Sequence, residues 1–172
     1  AVARELEVSA EKAREALESF SGVDRRFQIR GRERGIVVID DYGHHPTEIR
    51  ATLEAARQCN FPKVHAIFQP HRYTRTYHLL DEFARSFSKA DTVQVLDIYA
   101  ASEKPIEGVS AEKLVERMRS FGHRGATYAG TQEQAVKNLL PLLAEGDAVI
   151  TQGAGNVWQT GDRVLEALRR NP

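Results

Sequence analysis

The chain has 172 residues, with 24 basic and 24 acidic side chains and a formal net charge of zero. That length suits one compact α/β domain plus a fragment, and the balance gives no electrostatic reason to expect nucleic acid or an anionic membrane as partner. The single cysteine, Cys59, cannot close an internal disulfide, which fits a reducing compartment. No apolar run reaches the roughly 20 residues that span a bilayer. The first five residues lack the charged-then-apolar layout of a signal peptide, and no initiator Met is present, so the expectation is a piece of a longer chain.

Residues 1–20 read as helix, with Leu6, Val8, Ala13, Ala16, Leu17 and Phe20 as an apolar stripe, Ser9 as N-cap and Gly22 as the stop. Residues 26–30 alternate as a short strand. The glycine-bounded run Gly31 to Gly35 predicts a hairpin turn into the apolar strand 36–40. A helix over 47–59 leads to a strand at 64–68. A helix over about 77–88 leads to a strand at 92–96, followed by a polar loop over 97–109. A helix over 110–121 precedes a weak strand at 126–128, and a helix over 131–143 precedes a strand at 147–151. A last helix covers roughly 157–170. This alternation predicts a Rossmann-like, three-layer α/β domain: a mostly parallel sheet of about six strands, with the opening hairpin strand as its antiparallel edge.

The polar clusters follow strands. Asp40-Asp41-Tyr42-Gly43-His44-His45-Pro46-Thr47-Glu48 follows the second, and Gln69 to Thr76 follows the third. Asp97 to Lys104 follows the fourth, and Gln152-Gly153-Ala154-Gly155-Asn156 follows the last. In a parallel sheet these four loops share the carboxyl edge, where ligands bind in open α/β folds. Ionisable groups gathered there call for partners or work.

Each cluster has a plainer reading. Asp40 or Asp41 could cap the next helix. His44-His45 could ligate zinc, but three or four ligands are the rule and no cysteine pair supports it. The expectation is one imidazole on a substrate and the other packed under Pro46. Arg72 and Arg75 share a helical face, and two guanidinium forks suit a carboxylate or a phosphate. Their alternative partners are Asp81 and Glu82. Gly153-Ala154-Gly155-Asn156 is no dinucleotide fingerprint, because Trp158 stands at the third glycine position and the motif follows the last strand. Tight-turn geometry explains it better. Glu103-Lys104 reads as a solvated loop pair. No phosphate loop and no serine-hydrolase elbow occur, and Cys59 lacks a nucleophile's loop position.

The segments Gly22 to Phe27, Asp40 to Ile49, Phe68 to Thr76, Asp97 to Ala101 with Pro105 to Gly108, and Gly153 to Asn156 resemble the C-terminal domain of the Mur ligases. The nearest branch joins L-alanine to UDP-N-acetylmuramate in cytoplasmic peptidoglycan precursor synthesis. The resemblance spans about residues 1–170. It implies an ATP- and Mg2+-dependent amide ligase in which a carboxylate is phosphorylated and then attacked by the alanine amine. It also implies that the phosphate loop and metal ligands belong to a missing central domain. Residues 1–21 would be the helical end of that domain and 22–172 the C-terminal domain, inactive alone.

By the same resemblance Arg72 and Arg75, with His71, grip the alanine carboxylate. His44 and Tyr42 lie near the forming bond, with His44 either a base or, preferably, a hydrogen-bond partner. Arg26 and Asp41 reach ATP, with Arg25 and Asp40 as alternatives one residue away. No metal-binding residue is assigned. The rivals are a murein-peptide ligase domain and a non-catalytic anion-binding module.

Overall fold

In the computed structural model, which describes residues 2–19 and 22–170, six strands form one sheet in the order β1-β2-β6-β3-β4-β5. The strands are β1 (Gln28–Glu33), β2 (Ile36–Asp41), β3 (Val64–Phe68), β4 (Thr92–Leu96), β5 (Ala126–Gly130) and β6 (Ala148–Gln152). Only the β1–β2 pair is antiparallel, and it forms the expected edge. The inner strands β2, β3 and β6 are buried along their whole length, and β4 from Val93 onward, because both faces are covered. Helices α3 (Pro46–Gln58), α5 (Leu80–Arg85) and α6 (Ala111–Ser120) close one face around Ile39, Ile49, Leu53, Phe68, Phe83 and Phe87. Helices α7 (Gln132–Leu139) and α8 (Trp158–Arg170) close the other around Val38, Ile67, Val149 and Val164. Burying each such side chain contributes about 1.5–3 kcal/mol before chain entropy is counted.

Central strand β6 lies between β2 and β3. The chain leaves β2 and β3 toward the α3–α5 face, and leaves β6 toward α8 on the opposite face. Connections diverging from neighbouring strands open a crevice at the carboxyl edge.

Several local expectations shift. The N-terminal helix is two short pieces, α1 (Val2–Glu5) and α2 (Ala10–Glu18), parted where Glu7 takes φ +56°. Ser9 does cap α2, accepting the Lys12 N–H at 3.3 Å. Among the described residues the apolar stripe stays uncovered: Leu6 and Leu17 are 70% and 75% exposed, and no residue of α2 is buried. Phe20 lies outside the described residues. Gly31 sits inside β1, at a register irregularity where a Cβ would meet Leu165 Cδ1 at 3.0 Å. The hairpin turn is instead Arg34-Gly35, both at positive φ, as a two-residue connection of this hand requires.

The helix expected from 77 begins at Tyr73 and breaks at Leu79, giving α4 (Tyr73–His78) and then α5. Its early start has a cause: Glu103 accepts the Thr74 backbone N–H at 3.0 Å and the Thr74 hydroxyl at 2.7 Å. The helix expected over 131–143 stops at Leu139 and tightens to a 3-10 turn at Leu140–Leu142, where Pro141 has no N–H to continue it.

At the amino edge, far from the polar loops, His65 and Asp147 are both 1% exposed and 3.2 Å apart. His65 Nδ1 lies 2.8 Å from Thr92 Oγ1, and Asp147 also accepts the Ala144 N–H at 2.9 Å. This polar knot pins the starts of β3, β4 and β6. Replacing Asp147 by Ala leaves His65 Nε2 unpaired in the interior and removes the bond to the Ala144 N–H, so urea unfolding is expected to show a loss of about 2–3 kcal/mol.

Candidate functional site at the carboxyl edge

The loops following β2, β3, β4 and β6 do meet on one rim. Aromatic contacts run across three of them. The Tyr42 and His44 rings meet edge-on at 5.3 Å, His44 and His71 lie 6.0 Å apart, and His71 stacks on Tyr99 at 5.5 Å with an 11° tilt. The fourth loop packs beneath: a Cβ on Gly155 would fall 2.9 Å from the Tyr99 ring and 2.5 Å from Gln69 Oε1. Close approach therefore explains that glycine, in agreement with the tight-turn reading.

The two arginines and two aspartates of the nucleotide expectation divide into an inward ion pair, a buried aspartate and an open arginine. Asp40 is fully buried, receiving Arg25 Nε at 2.8 Å and the Thr151 hydroxyl at 2.6 Å. Arg25 also donates to the carbonyls of Gly153 at 2.6 Å and Gly155 at 3.3 Å. Asp41 is 6% exposed and accepts from Phe27 N, Gly43 N and the Thr52 hydroxyl at 2.9, 2.8 and 3.0 Å. Its carboxylate is thus committed to this chain's own donors, not turned outward. Arg26 has a side chain 54% exposed, and its guanidinium stands 5.8 Å from the Tyr42 ring centre.

His44 is partly buried. Its Nδ1 lies 3.1 Å from the Tyr42 carbonyl oxygen and 3.5 Å from Glu48 Oε2. Both are acceptors, so Nδ1 carries the proton of the neutral ring and Nε2 keeps its lone pair. His45 is exposed and is not packed under Pro46. It caps α3, its Nδ1 accepting the Thr47 N–H at 3.4 Å. A residue at the cap must face the helix's free N–H groups, and this turns the ring outward.

Arg72 has φ +74° and opens α4 with its N–H bonded to the Tyr99 carbonyl at 2.8 Å. Such a conformation costs an arginine about 1–3 kcal/mol and persists because both neighbouring loops hold it. Arg75 Nη1 lies 3.4 Å from His71 Nδ1. A guanidinium only donates, so His71 Nδ1 is the acceptor and its Nε2 bears the proton. Asp81 is no partner for either arginine, because Arg117 holds both its oxygens at 2.6 and 2.7 Å. Among the described residues neither Arg72 nor Arg75 forms an ion pair with a carboxylate.

The rim is therefore cationic, with one imidazole offering an acceptor and the other a donor. Burial, then the charges of Arg75, His44 and Arg72, push the His71 imidazole below its ordinary 6.5. Glu48 resists the upward push of its own burial. The His44 and His45 N–H groups, followed by the His44 and Arg26 charges, hold it below the usual 4.5. Glu48 and Glu103 are the two residues the sequence reading undervalued. The first was legible as the third helical residue of a capping box after His45. The second lies 29 positions from the helix it caps, and no local pattern announces it.

Among the described residues no group of three or more His, Cys, Asp or Glu side chains converges to hold a metal ion, so no metal step is assigned to this chain. No helix of the described residues is long and apolar enough to cross a membrane.

Residues 25–155 match the family model of the Mur ligase, glutamate ligase domain. A UDP-N-acetylmuramate–L-alanine ligase of Solibacter usitatus is 68% identical over 169 residues, covering 98% of this chain and 36% of that protein. One from Koribacter versatilis is 54% identical over 163 residues, covering 95% and 35%. Among crystal structures, the UDP-N-acetylmuramate–alanine ligase of Thermotoga maritima superposes with a TM-score of 0.82 at 29% identity, over 99% of this chain and 36% of that one. A murein peptide ligase of Psychrobacter arcticus superposes at 0.71 with 24% identity, over 96% and 34%, a likeness of fold alone. The chain spans little more than a third of the length of these relatives.

The depressed His71 value ties proton binding to the fold. The unfolded chain takes up this proton near 6.5 and the folded chain only below it. The His71 contribution to stability is therefore present above pH 6.5 and fades as pH falls through the lower folded value. An NMR titration should place the His71 midpoint below 6.5, and Arg75→Gln, which removes the nearest positive charge, should raise it.

Proposed function

We propose, from the premise that this chain belongs to the Mur ligase family and corresponds to its C-terminal domain, that it presents L-alanine for ATP-dependent ligation to UDP-N-acetylmuramate. The observation that carries the reading is the convergence of Arg72, Arg75, His71 and His44 on one rim, in a chain 68% identical to a ligase bearing that name. Two planar forks and the His71 Nε2–H would hold the amino acid's carboxylate by charge-assisted hydrogen bonds. His44 Nε2, free of intramolecular donors, would accept from the amine. Tyr42 lies beside it and limits the space left for the amino acid's side chain.

Arg26, exposed at the outer end of the rim, would face the nucleotide's phosphates, where a cation offsets charge gathering on the transferred group. Tyr42 would flank the same nucleotide. Asp41 serves this side indirectly: by holding the Phe27 N–H it fixes the turn that carries Arg26. ATP supplies the phosphoryl group that activates the sugar's carboxylate. Nitrogen then attacks the carbonyl carbon of that acyl phosphate. The N–C bond forms, and the C–O bond to phosphate breaks with its electron pair. The amine proton passes toward His44 Nε2. Holding the amine in line supplies several kcal/mol of the barrier reduction.

The phosphate loop, the Mg2+ ligands and the sugar site would lie in the part of the protein this chain does not span. Residues 1–21 would be the trailing helices of the preceding domain, their exposed stripe of Leu6, Val8 and Leu17 covered there. A murein-peptide substrate is the second reading.

The test is ADP release by the full-length protein with UDP-N-acetylmuramate, comparing alanine with a tripeptide. Alanine-dependent turnover is expected, and preference for the tripeptide would replace the reading with the second. Arg72→Ala should raise the KM for alanine by about 10–100-fold with a smaller change in kcat, as loss of a charge-assisted pair implies. Unchanged alanine kinetics would remove the clamp. Because alanine strains no more than arginine at φ +74°, backbone disruption would not mimic the result.

A further inference from the structure

Glu48 does more than cap a helix. A capping box needs one bond back to the N-cap, and Glu48 makes it: Oε2 accepts the His45 N–H at 3.1 Å. The same oxygen also accepts the His44 N–H at 2.9 Å and stands 3.5 Å from His44 Nδ1. Helix capping requires neither of these. The other oxygen, Oε1, faces Arg26 Nη1 at 4.0 Å. One carboxylate thus touches the imidazole on the amino-acid side and the cation on the nucleotide side.

We infer that Glu48 is the positioning residue of this rim: it orients His44 so that Nε2 faces the incoming amine, and it joins that imidazole to Arg26. The inference deepens the ligase reading and rests on it. The logic is that of any imidazole acceptor. Which nitrogen carries the proton is set by what the opposite nitrogen bonds, and a carboxylate behind the ring fixes both tautomer and angle. Here the Tyr42 carbonyl and Glu48 share that duty, at 3.1 and 3.5 Å. The main-chain bond from His44 N to Glu48 removes the remaining freedom, because it sets where the ring's Cα sits relative to its own orienter. The surrounding groups do not compete for the role. Tyr42 meets the ring edge-on, His71 approaches from the next loop at 6.0 Å, and Arg26 lies beyond the carboxylate.

The link to Arg26 adds a consequence. When Arg26 turns to the nucleotide's phosphates, Glu48 loses a competing cation and its charge falls more fully on His44. The amine acceptor is then at its strongest when the phosphoryl donor is in place.

Glu48→Gln separates this role from capping, because the glutamine carbonyl oxygen can replace Oε2 toward both backbone N–H groups while the charge is gone. In the full-length ligase the variant should keep its thermal midpoint within a few degrees. Its kcat should fall about tenfold, with a much smaller change in the KM for alanine. A fall of less than about threefold overturns the inference.

A second measurement needs no catalysis. Nitrogen-15 spectra of this chain, labelled at histidine and recorded about two units above the ordinary imidazole pKa, read the tautomer directly. The proton is expected on His44 Nδ1, and less of it there in Glu48→Gln. A proton on Nε2 in the wild type, or unchanged placement in the variant, overturns the inference even if the variant enzyme fails to fold. A wild-type full-length protein that ligates nothing would instead remove the ligase reading, and the tautomer result would still stand on the geometry alone.

Discussion

The Arg25 guanidinium is the joint on which the rim depends. Its Nε pairs with Asp40, which is fully buried at the end of β2, and its Nη atoms bond the carbonyls of Gly153 and Gly155 in the loop after β6. A carboxylate that deep is costly unless it is paired and its other lone pairs are met, and the Thr151 hydroxyl meets them from β6. The pairing is possible only when β2 and β6 stand in the register that sets Asp40 beside Thr151. Strand register, which the apolar core selects, is thereby converted into loop position.

From that joint the order of the site propagates by contact. Gly155 packs under Tyr99, Tyr99 stacks on His71, and His71 faces His44. Backbone strain is concentrated along the same path, at Arg25, Phe27, Arg72, Ala101 and Ser102, all at positive φ. None of these is a glycine, so neighbouring hydrogen bonds must hold each one: Phe27 by the Asp41 carboxylate, Arg72 by the Tyr99 carbonyl. Five of the eight non-glycine residues at positive φ among the described residues lie along this path, the others being Glu7, Arg34 and Asn60 in turns elsewhere, and strain held at a rim is what a preorganised site requires.

The layers, the antiparallel edge and the shared rim were legible because they follow from patterns with fixed periods. A continuous apolar run such as 36–39 suits a doubly covered strand, and parallel strands put every following loop at one end. What escaped the pattern were effects of one side chain on a distant backbone. Glu103 caps α4 across 29 positions and draws Tyr73–Thr76 out of the loop and into a helix. Arg117 takes Asp81 across 36 positions, which leaves Arg72 and Arg75 without their nearest alternative partner. The choice between adjacent residues was equally closed to sequence. Arg25 and Arg26 are chemically identical, and only the turn at positive φ sends one inward to Asp40 and leaves the other exposed near Glu48. His45 is the opposite case: a helix start at Pro46 already dictates that the preceding side chain turns to cap it.

In the proposed function, a rim built this way is half of a reaction vessel. Among the described residues its Arg72 and Arg75 form no ion pair with a carboxylate, and in water their interactions are weakened: the charges are screened and the imidazoles compete with solvent for hydrogen bonds. The same groups gain strength when a second surface excludes water, because each interaction then acts in a medium of lower dielectric. In the proposed function, leaving Arg72 and Arg75 without a carboxylate partner keeps their charge for a closed state. An internal salt bridge would stabilise the free domain slightly and would have to be broken at each turnover. In the same proposal, the exposed apolar residues Leu6, Val8 and Leu17, which none of the described residues buries, would be covered by a neighbouring part of the protein. In the proposed ligation, that neighbour would bring the activated carboxylate to the amine only when closure has also desolvated the clamp. Binding energy from the amino acid and the nucleotide would then be realised together at the step where the amide forms.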